Sequence, residues 1–533
     1  MDDENKTPTP FENALGKARS LAAVPKEGQS PVKQNETFVD LGGLARVAIG
    51  ITRNIANAAA FIAKASESQL SDEPFDEDKI FEEAIYGIFG IRLSEGSPTI
   101  EAAGRAKKLK AANPDHCDLT LGAPDGGIAP ELKERLPDAR EVNYDYTATG
   151  GEAAVVKTIV DGVKRRLNYP EKFGEFPLDA ALVNGSKEGL FLALWVLCSQ
   201  KTEEGQKIPV LLTAPYWPSH LELIKLAGGE PIIIDCPKEQ GYKISDDQFE
   251  KVLKKHPNLV WILSNPANPT GAVYSDSELR AKANIQRKYP NSSYVEDGLY
   301  RDTTFDGDKP TPYAVIAPDL KGFRVDGLAK RLGVPGMRAA FLLGPSPAIK
   351  EDTNIKSHIS GNVSVYTQKV LQIVFDPEND GVFENHEARK NEQYKNRLNV
   401  LDSFMERVDI KREPTQSTFY GYYDLKDLLK IGLMDPETNE PITTDVELCA
   451  YWEKHGVSGI AGTYCGDKGA VRLSCSASDA DVQRAGEYLE RSTKALRLIS
   501  NPEKTFEDYL KNPEAFLAQD TQQPLVAGGS GRG

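Results

Sequence analysis

A lysine and an arginine eight residues apart, Lys330 and Arg338 in Gly327-Leu328-Ala329-Lys330-Arg331-Leu332-Gly333-Val334-Pro335-Gly336-Met337-Arg338, are the cations of this chain best placed for chemistry. Apolar runs flank the stretch, Ala314 to Ala317 upstream and Ala339 to Leu343 downstream, and predict that both residues lie on a connection between two buried strands. A primary amine at such a junction can serve as nucleophile or base. Most Lys-Arg pairs are solvated surface, so this one gains meaning only from what surrounds it.

Several other stretches end apolar runs in residues that can hold a ligand. Ala181-Leu182-Val183-Asn184-Gly185-Ser186-Lys187-Glu188 reads as strand, tight turn and helix start, where free backbone N–H groups, the helix dipole and the Ser186 hydroxyl favour a phosphate. Val210-Leu211-Leu212 runs into Pro215-Tyr216-Trp217-Pro218-Ser219-His220, and a tryptophan between prolines at a strand end is costly to expose, so it covers something flat. Ser293-Tyr294-Val295-Glu296-Asp297-Gly298-Leu299-Tyr300 is a strand whose end presents a carboxylate and, three residues on, a phenol. Glu296 competes for the carboxylate role, but strand alternation points it to the opposite face from Asp297. Asn265-Pro266-Ala267-Asn268-Pro269-Thr270-Gly271 follows the buried strand Leu259 to Ser264, and its two Asn-Pro pairs are turn signals.

The elements that position these residues alternate between strand and helix. Gly96-Ser97-Pro98-Thr99 starts a helix that runs to about Ala112, and Leu119 to Asp125 is an extended segment ending in a Gly-x-Pro-Asp turn at Gly122. Helices over about Thr367 to Phe375 and Glu384 to Arg407 precede a strand at Phe419-Tyr420-Gly421-Tyr422-Tyr423, and Gly469-Ala470-Val471-Arg472-Leu473-Ser474 gives a later strand. This pattern predicts an α/β protein with a mostly parallel central sheet in a large domain, about residues 141–364, and a smaller α/β domain from about 97–140 and 365–510. Residues 1 to about 35 and 511–533 are expected to be disordered on composition, and about 36–96 to form a helical extension.

Composition narrows the function classes. A net charge of −15 disfavours nucleic acid and anionic membranes as partners, and 40% hydrophobic residues suffice for the cores of a soluble enzyme. The six cysteines, at 117, 198, 236, 449, 465 and 475, show no C-x-x-C spacing, as expected of reduced thiols in a cytoplasmic protein rather than a disulfide framework or metal site. Met1-Asp2-Asp3-Glu4 lacks the basic start of a signal peptide, and Arg53 and Lys64 interrupt the apolar stretch Val47 to Ala65.

Taken in order over about residues 97–500, these segments resemble the class I/II aminotransferases, fold-type I enzymes that use pyridoxal 5'-phosphate. The resemblance implies Lys330 as the cofactor-binding and catalytic lysine. It implies Gly185, Ser186, Lys187 and Arg338 around the cofactor phosphate, with Tyr146 of Tyr146-Thr147-Ala148-Thr149-Gly150-Gly151 reaching the phosphate of a neighbouring subunit. Trp217 would stack on the pyridine ring, Asp297 would bind its nitrogen with support from His220, and Asn268 and Tyr300 would meet its phenolic oxygen. Gly122 would let the backbone approach the substrate, and Arg472 would pair with the substrate α-carboxylate. One departure stands out: Ala461-Gly462 replaces the family's usual Pro-Gly. The implied reaction is amino transfer between an L-amino acid and a 2-oxo acid in a homodimer or higher even oligomer, with no metal. Aspartate 4-decarboxylase or another lyase on the same fold is the alternative, and a non-catalytic binding module is disfavoured by Lys330.

Overall fold

The computed structural model describes residues 96–199, 205–305 and 309–513, which belong to a compact unit beginning at Gly96. The expected disordered start, the N-terminal helices and nearly all of the tail lie outside the described residues. After a short first strand, β1 (Cys117–Asp118), the chain builds its main sheet from β2 (Lys172–Phe173), β3 (Phe176–Asn184), β4 (Pro209–Ala214), β5 (Glu230–Asp235), β6 (Val260–Ser264), β7 (Ser293–Asp297), β8 (Gly322–Gly327) and β9 (Ala339–Pro345). The spatial order is β2-β3-β9-β8-β7-β6-β4-β5. Strands β8, β7, β6, β4 and β5 pair in parallel, while β9 runs antiparallel between β8 and β3.

Helices cover both faces of this sheet, so its inner strands carry apolar residues on both sides. In β6, Trp261 and Leu263 face one core and Val260 and Ile262 the other; in β9, Phe341 and Leu343 oppose Ala340 and Leu342. Helices Ala153–Leu167, Asp246–Lys255, Asp276–Gln286 and Val365–Phe375 cover the first face, and helices Ser186–Cys198, Pro218–Leu226 and Ser346–Ile359 the second. A third core joins Leu119, Leu401, Tyr423, Trp452, Leu473 and Leu489 around short sheets. These sheets use β10 (Tyr420–Asp424), β11 (Leu433–Met434), β12 (Pro441–Ile442), β13 (Val457–Ser458), β14 (Ile460–Ala461), β15 (Ala470–Ser474), β16 (Arg497–Leu498) and β17 (Asn501–Thr505). Their orders are β1-β13, β10-β15-β14 and β12-β11-β16-β17.

One expected strand is a helix. Ala314 to Ala317 lies largely in the short helix Tyr313–Ile316, and the strand that leads to Lys330 is β8. A four-residue apolar run fits a buried helical turn as well as a strand. Strand β8 was obscured by Arg324 and Asp326, which are polar yet inside. Arg324 donates to Glu296 at 2.5 Å and to Asp326 at 2.9 Å, so this buried cation is neutralised by carboxylates from two strands.

Candidate active site

The carboxyl ends of the parallel strands place most of the residues singled out from the sequence on one side of the main sheet, where open α/β sheets hold ligands. Strand β3 ends at Asn184, and Gly185 turns the chain with φ 85° into helix Ser186–Cys198. The positive φ favours glycine at 185, and a Cβ there would displace the Arg338 guanidinium from its present place. Arg338 Nη2 donates to the Asn184 carbonyl at 3.2 Å, which sets this cation beside the first turn of the helix. Ser186 and Lys187 open that turn and are half-buried. The Lys187 ammonium lies 5.3 Å from the Trp217 ring centre; loss of hydration, then repulsion from Arg338, lowers its pKa. Cationic groups and a helix N-terminus at one point form a site for a phosphate.

Asp297 ends β7 and is buried with His220, whose Nε2 lies 3.2 Å from Asp297 Oδ2. Trp217 packs edge-on against the His220 ring, at 5.2 Å and 85°. The neighbouring Glu296 faces away as alternation requires: it accepts from Arg324 and from the Tyr313 backbone N–H. Burial between two sheet faces thus separates the roles of adjacent carboxylates.

Five segments meet in a second cluster. Arg472 of β15 donates from Nη2 to the Thr120 carbonyl at 2.6 Å and from Nη1 to Asn268 Oδ1 at 3.1 Å. Asn268 Nδ2 donates to the Tyr300 hydroxyl at 3.3 Å, which lies 3.0 Å from the Tyr420 hydroxyl. The Arg472 guanidinium sits 4.4 Å from the centre of the Tyr420 ring. Each Nη of Arg472 keeps one further hydrogen, and its buried Nε has no hydrogen-bond partner. An arginine in that state suits a planar carboxylate.

Lys330 leaves β8 on the short helix Leu328–Arg331 and donates from Nζ to the Gly122 carbonyl. Its ammonium is 6.0 Å from the Tyr300 ring centre and 5.9 Å from that of Phe419. Loss of hydration pushes its pKa down, with Tyr420 and Asp297 raising it and Arg472 and Arg338 lowering it further. The shift favours the neutral amine, the form able to attack or take a proton. Arg331, next in sequence, turns away into ion pairs with Glu387 and Asp302.

The structure therefore brings together Lys330, Gly122, Asn268, Tyr300 and Arg472, sets Asp297 with His220 and Trp217, and gathers Gly185, Ser186, Lys187 and Arg338 at the helix start. Tyr146 stands apart, 97% exposed. Sequence reasoning missed Tyr420 and Phe419, which it read only as strand; the signal was the unusually aromatic run Phe419-Tyr420-Gly421-Tyr422-Tyr423. Among the described residues no group of three or more His, Cys, Asp or Glu could hold a metal ion, and no helix is long and apolar enough to cross a membrane.

Residues 114–489 match the family profile "Aminotransferase class I and II". The chain is 28% identical over 402 residues to an aspartate/prephenate aminotransferase of Nitrosomonas europaea, covering 74% of this chain and 96% of that one. It is 26% identical over 400 residues to an aspartate aminotransferase of Bacillus subtilis, covering 74% and 95%. Among solved structures, aspartate aminotransferase from Thermus thermophilus with maleate aligns with a TM-score of 0.66 at 21% identity, over 75% of this chain and 97% of that one. A profile match over most of the chain settles the family: this chain belongs to the class I and II aminotransferases, has the fold-type I architecture, and is a transaminase.

Proposed function

We propose that the enzyme binds pyridoxal 5'-phosphate at Lys330 and moves an amino group between an L-amino acid and a 2-oxo acid. One observation carries this reading: Lys330 Nζ donates to the Gly122 carbonyl and faces the Tyr300 ring, and Tyr300 is linked through Asn268 to Arg472, so the amine and the guanidinium border the same cluster. The residues present fit the cofactor. Gly185, Ser186, Lys187 and Arg338 would hold its phosphate, Asp297 its ring nitrogen with His220 behind, Trp217 one ring face, and Asn268 and Tyr300 its phenolic oxygen. Bound there, the cofactor would supply a carbonyl carbon that accepts amino groups and a ring that draws electrons from the substrate Cα.

The chain's own residues do the rest. Arg472 would grip the α-carboxylate with its two remaining Nη hydrogens and so orient Cα toward Lys330. Lys330 Nζ, whose pKa burial lowers toward the neutral amine, would take the Cα proton and return it elsewhere. Asp297 would keep the ring nitrogen protonated; at an effective dielectric of about 20, opposite charges about 4 Å apart attract by roughly 4 kcal/mol before desolvation. With aspartate and a 2-oxo acid acceptor, the expected products are oxaloacetate and the acceptor's amino acid. Alanine and carbon dioxide formed in step with aspartate consumed, without acceptor, would overturn amino transfer in favour of β-decarboxylation.

We also propose a cytoplasmic homodimer. All six cysteines are free, in keeping with a reducing compartment, and Tyr146 at 97% exposure is available to a second copy. Sedimentation is expected to give a dimer, or a multiple of it, under assay conditions; a fully active monomer would contradict this.

A further inference from the structure

We infer that Tyr420 is a positioning residue that keeps the single proton of Tyr300 pointed into the active site while its ring braces Arg472. The inference rests on the cofactor reading above and assigns a part to a residue that reading leaves unused.

Arg472 has only donors, so the Asn268 atom it reaches at 3.1 Å must be the oxygen. The Asn268 amide NH₂ therefore faces Tyr300, and the Tyr300 oxygen accepts from it at 3.3 Å. A phenol has one proton and two lone pairs. If Tyr300 donated to Tyr420, 3.0 Å away, it would have nothing to offer a ligand oxygen. If Tyr420 donates, Tyr300 accepts twice and its own proton is free for the site. Burial raises the Tyr300 pKa well above the ordinary phenol value, which favours the form that carries the proton.

Two further contacts fix Tyr420. Its ring lies under the Arg472 guanidinium at 4.4 Å, and its hydroxyl fills the space a Cβ at Gly122 would occupy. Arg472, Asn268, Tyr300 and Tyr420 thus form a closed ring of contacts, three hydrogen bonds and one cation–π contact. The Gly122 that borders this ring also accepts from Lys330. The arrangement couples the group that would bind the α-carboxylate to the group that would meet the cofactor's phenolic oxygen.

The test uses the cofactor-loaded protein and its absorbance as pH is varied. A donor to the phenolic oxygen favours the deprotonated chromophore, and a Tyr300 relieved of its own donor becomes a weaker one. Tyr420→Phe is expected to raise the pH midpoint of the visible band by about half a unit. Tyr300→Phe should raise it more, and the double variant should match Tyr300→Phe alone, because Tyr420 acts through Tyr300. The dissociation constant for maleate, a non-reacting dicarboxylate, should stay within about twofold in Tyr420→Phe, which keeps the ring, and rise about three- to tenfold in Tyr420→Leu, which loses it. An unchanged midpoint in Tyr420→Phe, or an equal shift on top of Tyr300→Phe, would overturn the inference; equal maleate affinity in Tyr420→Leu would overturn the bracing of Arg472. Failure of the unsubstituted protein to form any visible band with the cofactor would instead overturn the reading on which the inference rests.

Discussion

Replacing Lys330 with alanine is expected to lower amino transfer by at least about 10⁴-fold while leaving the fold intact. Lys330 is half-buried, and its hydrogen bond is to the Gly122 carbonyl, at the edge of the space it faces. Truncation there removes a nucleophile and a proton carrier from a site lined by Tyr300, Phe419 and Gly122, without opening the main cores. The loss should fall on turnover. Arg338 and the start of helix Ser186–Cys198 remain, so noncovalent affinity for the cofactor phosphate should survive in the variant. Single-turnover kinetics with added cofactor measures the loss, and circular dichroism checks the fold. A Lys330→Ala protein within about tenfold of the parent rate would remove Lys330 from the chemistry.

The second large effect separates two neighbouring carboxylates. Asp297→Ala should slow Cα-proton abstraction by roughly 10³-fold with little change in substrate affinity, because its attraction to a protonated ring grows in value as charge develops in the transition state. Glu296→Gln should do something different. Glu296 is 1% exposed and pairs with the equally buried Arg324, so the substitution leaves that cation less well compensated and should cost about 3–5 kcal/mol of stability. Thermal unfolding and single-turnover rates read the two effects independently. Similar kinetic losses in both variants, at equal stability, would show that the face assignment is wrong.

Much of the site was legible in the sequence because strand ends in a parallel sheet announce themselves. An apolar run that stops at Asn184, Ser264 or Asp297 and passes into glycine, proline or a short polar turn has few places to go except the carboxyl edge. Alternation alone separated Glu296 from Asp297. Two things were hidden. Strand β8 did not read as buried because Arg324 and Asp326 lie inside it, and their compensation comes partly from Glu296, 28 residues earlier in the chain. The meeting of Tyr420 with Tyr300 was hidden for a related reason: the two hydroxyls are 120 residues apart, one in the turn after β7 and the other on β10, so no local spacing relates them. Short runs such as Ala314 to Ala317 carry too few residues to distinguish a period of two from one of 3.6. The sequence pattern therefore located the ends of the elements better than it located the polar partners between them.

In the proposed mechanism Lys330 holds the cofactor while Asp297 and Arg472 face it. The most direct measurement is to load the protein with pyridoxal 5'-phosphate, reduce it with borohydride, and map the modified peptide by mass spectrometry. The predicted result is one cofactor per chain fixed to Lys330, with no fixation in Lys330→Ala; attachment to another lysine, or undiminished attachment in the variant, would contradict it.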